Sequence, residues 1–421
     1  MTEGDKLRTE NNDCRPAPAR PAGHVGMDEI AAVADRAEAL AQEIRSRVMA
    51  PEARKVAPAY TRSQVIRLCG MDQVRAREIN PIPNSLHGRR FSVANAHDMA
   101  RASRADCMRP SSSGAFTIAV ANFKGGVGKT TTAMALAQGL SLRGHKVLAV
   151  DLDPQASLTT LFGILPATEV AEDQTALPLM RAERATLGPS VRPTYWSGLD
   201  LVPAAPMLFA AEVAIPNLQP QRGARTFWTL LERGLEKERQ AYDVIVIDTP
   251  PALSYLTINA LMAADGIVVP TPPTALDFAS LAHFWQLFAD FRANPEFVRG
   301  GGKSYAFIHV LLTRVDPADV ATPAVREWIQ AAYAEFVLSA EVPKSTVAPA
   351  MAAACGTAYD IGRYEGARAT YDRIIGAYNA VTASIERSIV AAWASSAEQP
   401  SGGNEVSVVD SADRSACREV R

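Results

Sequence analysis

The sequence of 421 residues is too long for a single small core, and its 48% hydrophobic and 21% charged residues are ordinary for a globular protein. The net charge of −2 excludes a uniformly basic or acidic protein, yet residues 41–110 hold 13 Arg and Lys against six Asp and Glu. This local basic excess indicates a polyanionic partner, with a merely solvated basic surface as the alternative.

The cysteines and the apolar runs narrow the class of protein. The five cysteines are scattered singly, which argues against zinc or a bridging iron–sulfur cluster and fits a reducing cytoplasm. No apolar run reaches the length that crosses a bilayer, and no signal-peptide pattern is present. We therefore expect a cytoplasmic protein without a membrane partner.

The first part of the chain predicts an arm and a helix. Residues 1–26 are polar and proline-rich, which predicts a disordered arm. Apolar residues then recur at three- and four-residue steps, which predicts an amphipathic helix over residues 27–50. Its apolar stripe must be buried on its own domain or on a second subunit, and the sequence leaves both open. The stripe consists of Ile30, Val33, Ala37, Leu40, Ile44 and Val48.

Residues 58–104 have the spacing of a winged helix-turn-helix domain. Ser63 is placed to cap a helix that ends near Leu68, and Gly70 supplies the turn before a second helix over residues 73–79. The segment His87–Ser92 predicts a tight hairpin or wing, followed by a helix capped at Ser92 that ends near residue 102.

The arginines of this domain are the candidate DNA contacts. Arg75 and Arg77 lie on the predicted second helix, where they would meet base edges or phosphates. Arg89 and Arg90 lie on the predicted wing, where they would grip the DNA backbone. A helical hairpin with a purely structural role is the competing interpretation.

A phosphate-binding loop follows a serine-rich linker, residues 105–114, and a buried strand predicted over residues 116–121. Gly125, Gly126 and Gly128 permit positive φ and expose backbone N–H groups at the start of a helix. Lys129 then supplies a charge for the β- and γ-phosphates, and Thr130 offers a hydroxyl to Mg²⁺.

Lys124 departs from the ordinary phosphate-binding pattern. Two lysines converge on one small site, an arrangement that calls for a polyanion between them, and Phe123 stands where the ordinary pattern has glycine. The run Lys-Gly-Gly-Val-Gly-Lys-Thr-Thr, residues 124–131, resembles the deviant Walker A family of ATPases. The resemblance implies that Lys124 reaches the phosphates of a partner subunit in a nucleotide-sandwiched homodimer. The ATP-binding residues it implies are Lys124, Gly125, Gly126, Val127, Gly128, Lys129, Thr130 and Thr131.

Carboxylates follow two apolar strands downstream. Asp151 and Asp153 come at the end of the strand 146–150, where ligands bind in doubly wound folds. By the family resemblance, Asp153 orients the attacking water, while Asp151 helps to hold the Mg²⁺ shell and the loop. Asp248 ends the strand of a Walker B pattern and would bind Mg²⁺ together with Thr130 and Asp151. The predicted catalytic residues are thus Lys124, Lys129 and Asp153.

Strands and helices alternate over residues 115–394, which predicts a doubly wound, mostly parallel α/β sheet of the P-loop NTPase class. By resemblance, Thr313-Arg314 and the stretch after Val342-Pro343 lie near the adenine. Arg363 is a further candidate for DNA contact that is independent of sequence, with a solvated helix face as the alternative. Residues 395–421 predict a disordered tail.

Residues 60–381 together resemble the long form of the ParA-type partition ATPases, including the RepA proteins of repABC plasmids. The resemblance implies a slow, Mg²⁺-dependent ATPase whose ATP dimer binds DNA non-specifically on the nucleoid. It also implies stimulation by a ParB-type partner and autorepression through the N-terminal domain. An ATP-liganded repressor and a MinD-like positioning ATPase are the alternatives, although residues 399–421 lack the apolar stripe of a membrane-targeting helix. An iron–sulfur electron-transfer ATPase would need paired cysteines.

Overall fold

The computed structural model describes residues 26–48, 55–71, 90–222, 227–293, 302–345, 356–361 and 368–398. The chain divides into two compact units, Met1–Arg54 and Lys55–Arg421. In the first unit, helix α1 spans Met27–Val48, as the apolar periodicity predicted. Asp28 and Glu29 lie in its first turn, where negative charge is favourable, and Ile30, Val33 and Leu40 of the apolar stripe are exposed.

The second unit is built on a seven-stranded sheet. Its strands run in the order β5-β6-β4-β7-β3-β8-β9, and every pair is parallel except β5 with β6. The central strands are buried along their whole length, as expected for a parallel sheet covered on both faces. The seven strands of the sheet are β3 Phe116–Val120, β4 Val147–Asp151, β5 Arg192–Pro193, β6 Leu199–Val202, β7 Val244–Asp248, β8 Gly266–Thr271 and β9 Phe307–Leu312.

The two faces of the sheet belong to separate hydrophobic clusters, because successive side chains of a strand point to opposite faces. Ile118 and Val120 pack into one cluster and Ala119 into the other. The described residues of the second unit form the α-helices α2 Arg62–Leu68, α3 Val93–Ser103, α4 Lys129–Leu142, α5 Ser157–Leu161, α6 Pro166–Glu169, α7 Leu177–Met180, α8 Ala211–Arg222, α9 Leu230–Gly234, α10 Glu238–Ala241, α11 Tyr255–Ala263, α12 Ala275–Ala293, α13 Thr322–Tyr333 and α14 Arg368–Glu398.

The segment predicted as a winged helix-turn-helix contains a small ladder. Strand β1, Ala59–Thr61, pairs antiparallel with β2, Arg90–Ser92. The described part of the segment predicted as a hairpin or wing, Arg90–Ser92, thus pairs with a strand that is distant in sequence. The hairpin or wing itself stays a prediction. The second predicted helix and residues 87–89 of the wing lie outside the described residues.

Helix α2 starts earlier than the sequence predicted. Thr61, not Ser63, is the N-cap: its hydroxyl accepts a hydrogen bond from the Gln64 N–H, and the Gln64 side chain accepts one from the Thr61 N–H. This reciprocal capping box outcompetes a single hydroxyl at Ser63. The predicted turn at Gly70, with φ of 62°, and the predicted cap at Ser92 are confirmed.

The elements β1, α2, β2 and α3 share a core with the sheet instead of forming a second compact unit. The Tyr60 hydroxyl donates to the carbonyl of Tyr359 at 2.5 Å, and Arg101 Nη1 lies 2.6 Å from Asp243 Oδ2. The sequence predicted separate domains over residues 58–104 and 115–394, but the described residues of these two segments share one core.

The predicted linker, residues 105–114, is held against the sheet. It begins with the 3₁₀ turn Ala105–Cys107. Arg109 then bonds to the carboxylate of Asp243 and to the carbonyl of Gln240. Of the described helices, none has the length and apolar character required to cross a bilayer.

Candidate nucleotide site

The loop between β3 and α4 has the geometry of an anion cradle. Gly126 and Gly128 adopt φ of 75° and 96°, a region that strains any residue with a Cβ. Gly128 is the N-cap of α4, so the N–H groups of the following first turn lack intrahelical partners and can bind an anion. Gly125 and Gly126 are exposed, whereas Val127 is buried.

Lys129, the first residue of α4, is a buried cation beside this cradle. Its Nζ donates to the carbonyl oxygen of Lys124 at 2.9 Å, and the residue is 7% exposed. Burial lowers the pKa of Lys129, against the opposing charges of Asp248 and Asp153. A phosphate would therefore meet an ammonium group that is already desolvated and hydrogen-bonded to a neutral carbonyl. Thr130 is half-buried and Thr131 is exposed.

The two carboxylates predicted to hold Mg²⁺ are neighbours in the parallel ladder between β4 and β7, where Asp151 pairs with Asp248. Asp151 accepts hydrogen bonds from the backbone N–H and the hydroxyl of Thr159 at 2.8 and 2.7 Å, and from the Asp153 N–H. Asp151 therefore holds the loop that follows β4. Burial raises its pKa, against these hydrogen bonds.

Asp248 differs from its neighbour because neither of its carboxylate oxygens has a hydrogen-bond partner among the described residues. Burial raises its pKa well above the ordinary value, Asp151 adds to the rise, and the Thr130 hydroxyl and Lys129 oppose it. A buried carboxylate without partners is costly unless a cation accompanies it.

These residues fit Mg²⁺. No group of three or more His, Cys, Asp or Glu among the described residues could hold a metal alone. Mg²⁺ is commonly held by one or two carboxylates together with substrate phosphates and water. The free oxygens of Asp248 and the nearby Thr130 hydroxyl supply the protein part of such a shell. Asp151 is already engaged with the loop.

Asp153 belongs to the loop that follows β4, and the residue is 7% exposed. Its Oδ1 accepts a hydrogen bond from the Gln155 N–H at 2.9 Å. Burial raises its pKa, while that hydrogen bond and the charge of Lys129 oppose the rise. Oδ1 of Asp153 is therefore engaged with the backbone of its own loop.

The residues after Asp248 also contact this region. The Thr249 hydroxyl donates to the carbonyl of Val120 at 3.0 Å, which ties the segment to the end of β3. A Cβ added to Gly125 would meet Pro251 at 3.9 Å. The segment Thr249-Pro250-Pro251 therefore lies beside the phosphate loop.

The loop is held on its other side by residues that follow β9. The Thr313 hydroxyl donates to the carbonyl of Val127 at 2.8 Å, and Arg314 Nη1 donates to the carbonyl of Gly126 at 2.9 Å. A cleft of about 280 Å³ opens here, lined by Gly126, Arg314 and the ion-paired Asp316 and Lys344 among others. Thr313 and Arg314, expected near the adenine by resemblance, thus contact the phosphate loop, which was not predicted. Their place near the adenine stays a prediction.

Lys124 is engaged within its own subunit. Its Nζ lies 2.7 Å from Oδ1 of Asp277, in the first turn of α12. Sequence reasoning missed Asp277 because an acidic residue in a first helical turn reads as an ordinary helix cap.

The predicted DNA contacts are largely outside the described residues. Arg75, Arg77, Arg89 and Arg363 lie there. Arg90 is exposed on β2, and its Nη1 donates to the carbonyl of Ala59 at 3.2 Å. The structure thus brings the nucleotide residues together and leaves the DNA assignment as a prediction.

The chain is similar to several known proteins. Residues 115–297 match a family model described as an AAA domain. A replication protein A of Sinorhizobium fredii is 33% identical over 362 residues, which cover 82% of this chain and 89% of that protein. The chromosome-partitioning ATPase Soj of Thermus thermophilus is 35% identical over 231 residues, which cover 54% and 81%. The Cyanothece McdA–ATP complex shares the fold, with a TM-score of 0.54 at 20% identity over 65% of this chain and 97% of that one.

Proposed function

Because this chain belongs to the ParA-type partition ATPases, we propose that its ATP-bound form is a homodimer that binds DNA without sequence preference and moves DNA during segregation. The chain is an ATPase whose cofactors are ATP and Mg²⁺. Hydrolysis then ends the DNA-bound state, and a ParB-type partner accelerates it. In this scheme the protein is associated with the nucleoid.

The observation that carries the proposal is the pair of lysines at one glycine loop. Lys129 and Lys124 are joined through the Lys124 carbonyl, yet their ammonium groups have different partners. Lys129 is buried and faces Asp153 and Asp248, so it would serve the nucleotide of its own subunit. The side chain of Lys124 is 36% exposed, so it can reach a second subunit.

The proposed hydrolysis assigns one role to each carboxylate. The Mg²⁺ that accompanies ATP neutralises phosphate charge when bound, and Asp248 and Thr130 would hold it. Asp153 would orient the attacking water with its second oxygen. Asp151 would keep the Asp153 loop in place through Thr159.

DNA binding in this proposal depends on dimerisation. A dimer duplicates every basic surface, so two weak phosphate-binding surfaces act together and affinity rises steeply. The exposed Arg90 and the arginines outside the described residues are the proposed contacts. The N-terminal elements would in addition repress the protein's own operon.

Binding to non-specific duplex DNA tests the proposal, with ATP, ADP or no nucleotide, at several salt concentrations, alongside phosphate release. We expect tight, salt-sensitive binding with ATP alone and slow hydrolysis that DNA raises modestly. Lys124→Gln should bind ATP as a monomer and lose both dimerisation and DNA binding.

Two outcomes contradict the proposal. If DNA binding is indifferent to the nucleotide, it does not depend on an ATP-bound dimer, and the protein is an ATP-liganded repressor. If Lys124→Gln dimerises normally with ATP, the role assigned to Lys124 is wrong.

A further inference from the structure

Asp277 holds the ammonium group of Lys124 beside the nucleotide cleft. The two charged atoms are 2.7 Å apart, and the Asp277 side chain is 7% exposed. Both residues line the cleft of about 280 Å³ next to Gly125 and Gly126. The ion pair therefore lies where a nucleotide and a second subunit would approach the loop.

The carboxylate of Asp277 is fixed by its own helix. Asp277 lies in the first turn of α12, and its Oδ2 accepts a hydrogen bond from the Thr274 hydroxyl. The backbone N–H of Asp277 donates to that hydroxyl in return, at 3.2 Å. The helix dipole also favours negative charge here. Asp277 thus remains stabilised as an anion whether or not Lys124 is bound to it.

This arrangement makes the release of Lys124 inexpensive. When the lysine leaves, Asp277 keeps Thr274 and the helix N-terminus, so no uncompensated buried charge remains. A triphosphate carries several negative charges against one on Asp277, so it would attract Lys124 more strongly at a similar distance. Lys124 therefore has two competing anions, one in its own subunit and one in the nucleotide.

We propose that Asp277 is a positioning residue that keeps Lys124 in its own subunit and thereby sets the ATP concentration at which two copies close on each other. This inference rests on the proposed function, in which Lys124 contacts the partner's nucleotide. Closing the dimer exchanges the Asp277–Lys124 pair for a contact between Lys124 and phosphate.

Sedimentation velocity of the full chain tests this inference, with a slowly hydrolysed ATP analogue and Mg²⁺ titrated over the unmodified protein and each variant. Asp277→Asn should lower the analogue concentration that gives half dimer by about fivefold, the effect of removing a partly exposed ion pair. Asp277→Ser is the second variant if the Asn protein does not fold, and it carries the same expectation.

A matched control separates the ion pair from the start of the helix. Thr274→Ala removes the hydroxyl that bonds Asp277 but keeps the Asp277–Lys124 pair. Because Asp277 then has fewer partners when Lys124 leaves, the half-dimer concentration should rise and not fall as it does in Asp277→Asn. Because Lys124→Gln is monomeric in the proposed function, Asp277→Asn is compared in that background by thermal unfolding, where its effect should be smaller because the ion pair is already absent. A purely structural role would lower thermal stability equally in both backgrounds.

Different results contradict the role of Asp277 and the proposed function on which it rests. If the unmodified protein dimerises with the analogue, Lys124→Gln does not, and Asp277→Asn matches the unmodified protein, only the inference fails. It also fails if Thr274→Ala lowers the half-dimer concentration as far as Asp277→Asn does. If the unmodified protein stays monomeric, or Lys124→Gln dimerises, the proposed function fails and this inference fails with it.

Discussion

Glu386 on α14 accepts two parallel hydrogen bonds from Arg104, with Nη1 2.8 Å from Oε1 and Nη2 2.6 Å from Oε2. Arg143 and His145, which follow the nucleotide-site helix α4, complete the shell of the same carboxylate at 2.7 and 2.8 Å. One buried acid thus joins the end of α3, the end of α4 and α14.

Replacing Glu386 by Gln should destabilise the protein by ~3 kcal/mol at neutral pH, because two arginines lose their buried counter-charge. Burial alone would raise the pKa of Glu386, but hydrogen bonds from His145 and Arg104 and the charge of Arg143 lower it well below the ordinary 4.5. A group with a depressed folded pKa stabilises above its unfolded pKa and loses this effect as pH falls. The difference between the two proteins should therefore shrink on acidification below about pH 4.5.

Urea unfolding at neutral and acidic pH measures this difference. Glu327→Gln, at an exposed site on α13, is the control and should leave stability nearly unchanged. If the difference in the free energy of unfolding between Glu386→Gln and the unmodified protein stays constant with pH, Glu386 is not the charged group that this prediction requires.

Gly144→Ala should destabilise the fold by at least ~2 kcal/mol, because both the backbone angle and the space oppose a side chain. Gly144 has φ of 97°, and an added Cβ would lie 2.5 Å from the backbone N of Arg101. Gly376→Ala is the matched control: it lies within α14 with nothing within 4 Å of the added atom. That change should stabilise by ~0.5 kcal/mol. Thermal unfolding of both variants checks the pair, and equal effects would refute the close packing at Gly144.

Lys129→Gln should weaken ATP binding or turnover by roughly 100-fold, because the preorganised charge beside the phosphates is lost. Fluorescent-nucleotide binding and phosphate release measure the two effects. Lys146→Gln, whose ammonium lies over the Tyr242 ring, is the control and should behave as the unmodified protein. Normal turnover in Lys129→Gln would remove this lysine from the site.

Asp153→Ala should slow hydrolysis by at least ~100-fold while leaving ATP binding intact, because the water loses its orienting base. Asp151→Ala should instead lower thermal stability, since the Thr159 N–H and hydroxyl lose their acceptor. Single-turnover hydrolysis and thermal unfolding of both variants separate the two roles. If Asp153→Ala hydrolyses ATP at the normal rate, a group other than Asp153 orients the attacking water.

The nucleotide site was predictable because its signals are local. Strand β3, the glycines and the start of α4 at Lys129 follow one another along the chain, and each has its own physical signature. The structure places Asp248 beside Asp151, as expected for carboxylates at the ends of neighbouring parallel strands.

Contacts between distant segments were not predictable in this way. Glu386 and Arg104 are 282 positions apart, and neither carries a sequence pattern that points to the other. The pairing of Ala59–Thr61 with Arg90–Ser92 was missed for the same reason, since strand pairing depends on the partner more than on local preference. The ion pair of Lys124 with Asp277 also joins distant segments, so only the folded structure brings its two residues together.

The hydrogen bond from Tyr60 to Tyr359 joins positions 299 residues apart, which has a consequence for biosynthesis. A ribosome that adds about 5–20 residues per second needs roughly 15–60 s to make the chain between them. During that interval β1, α2, β2 and α3 are outside the ribosome without α14, whose residues complete their core. This segment therefore depends on late-made partners, and chaperones that shield nascent apolar surface should act on it first.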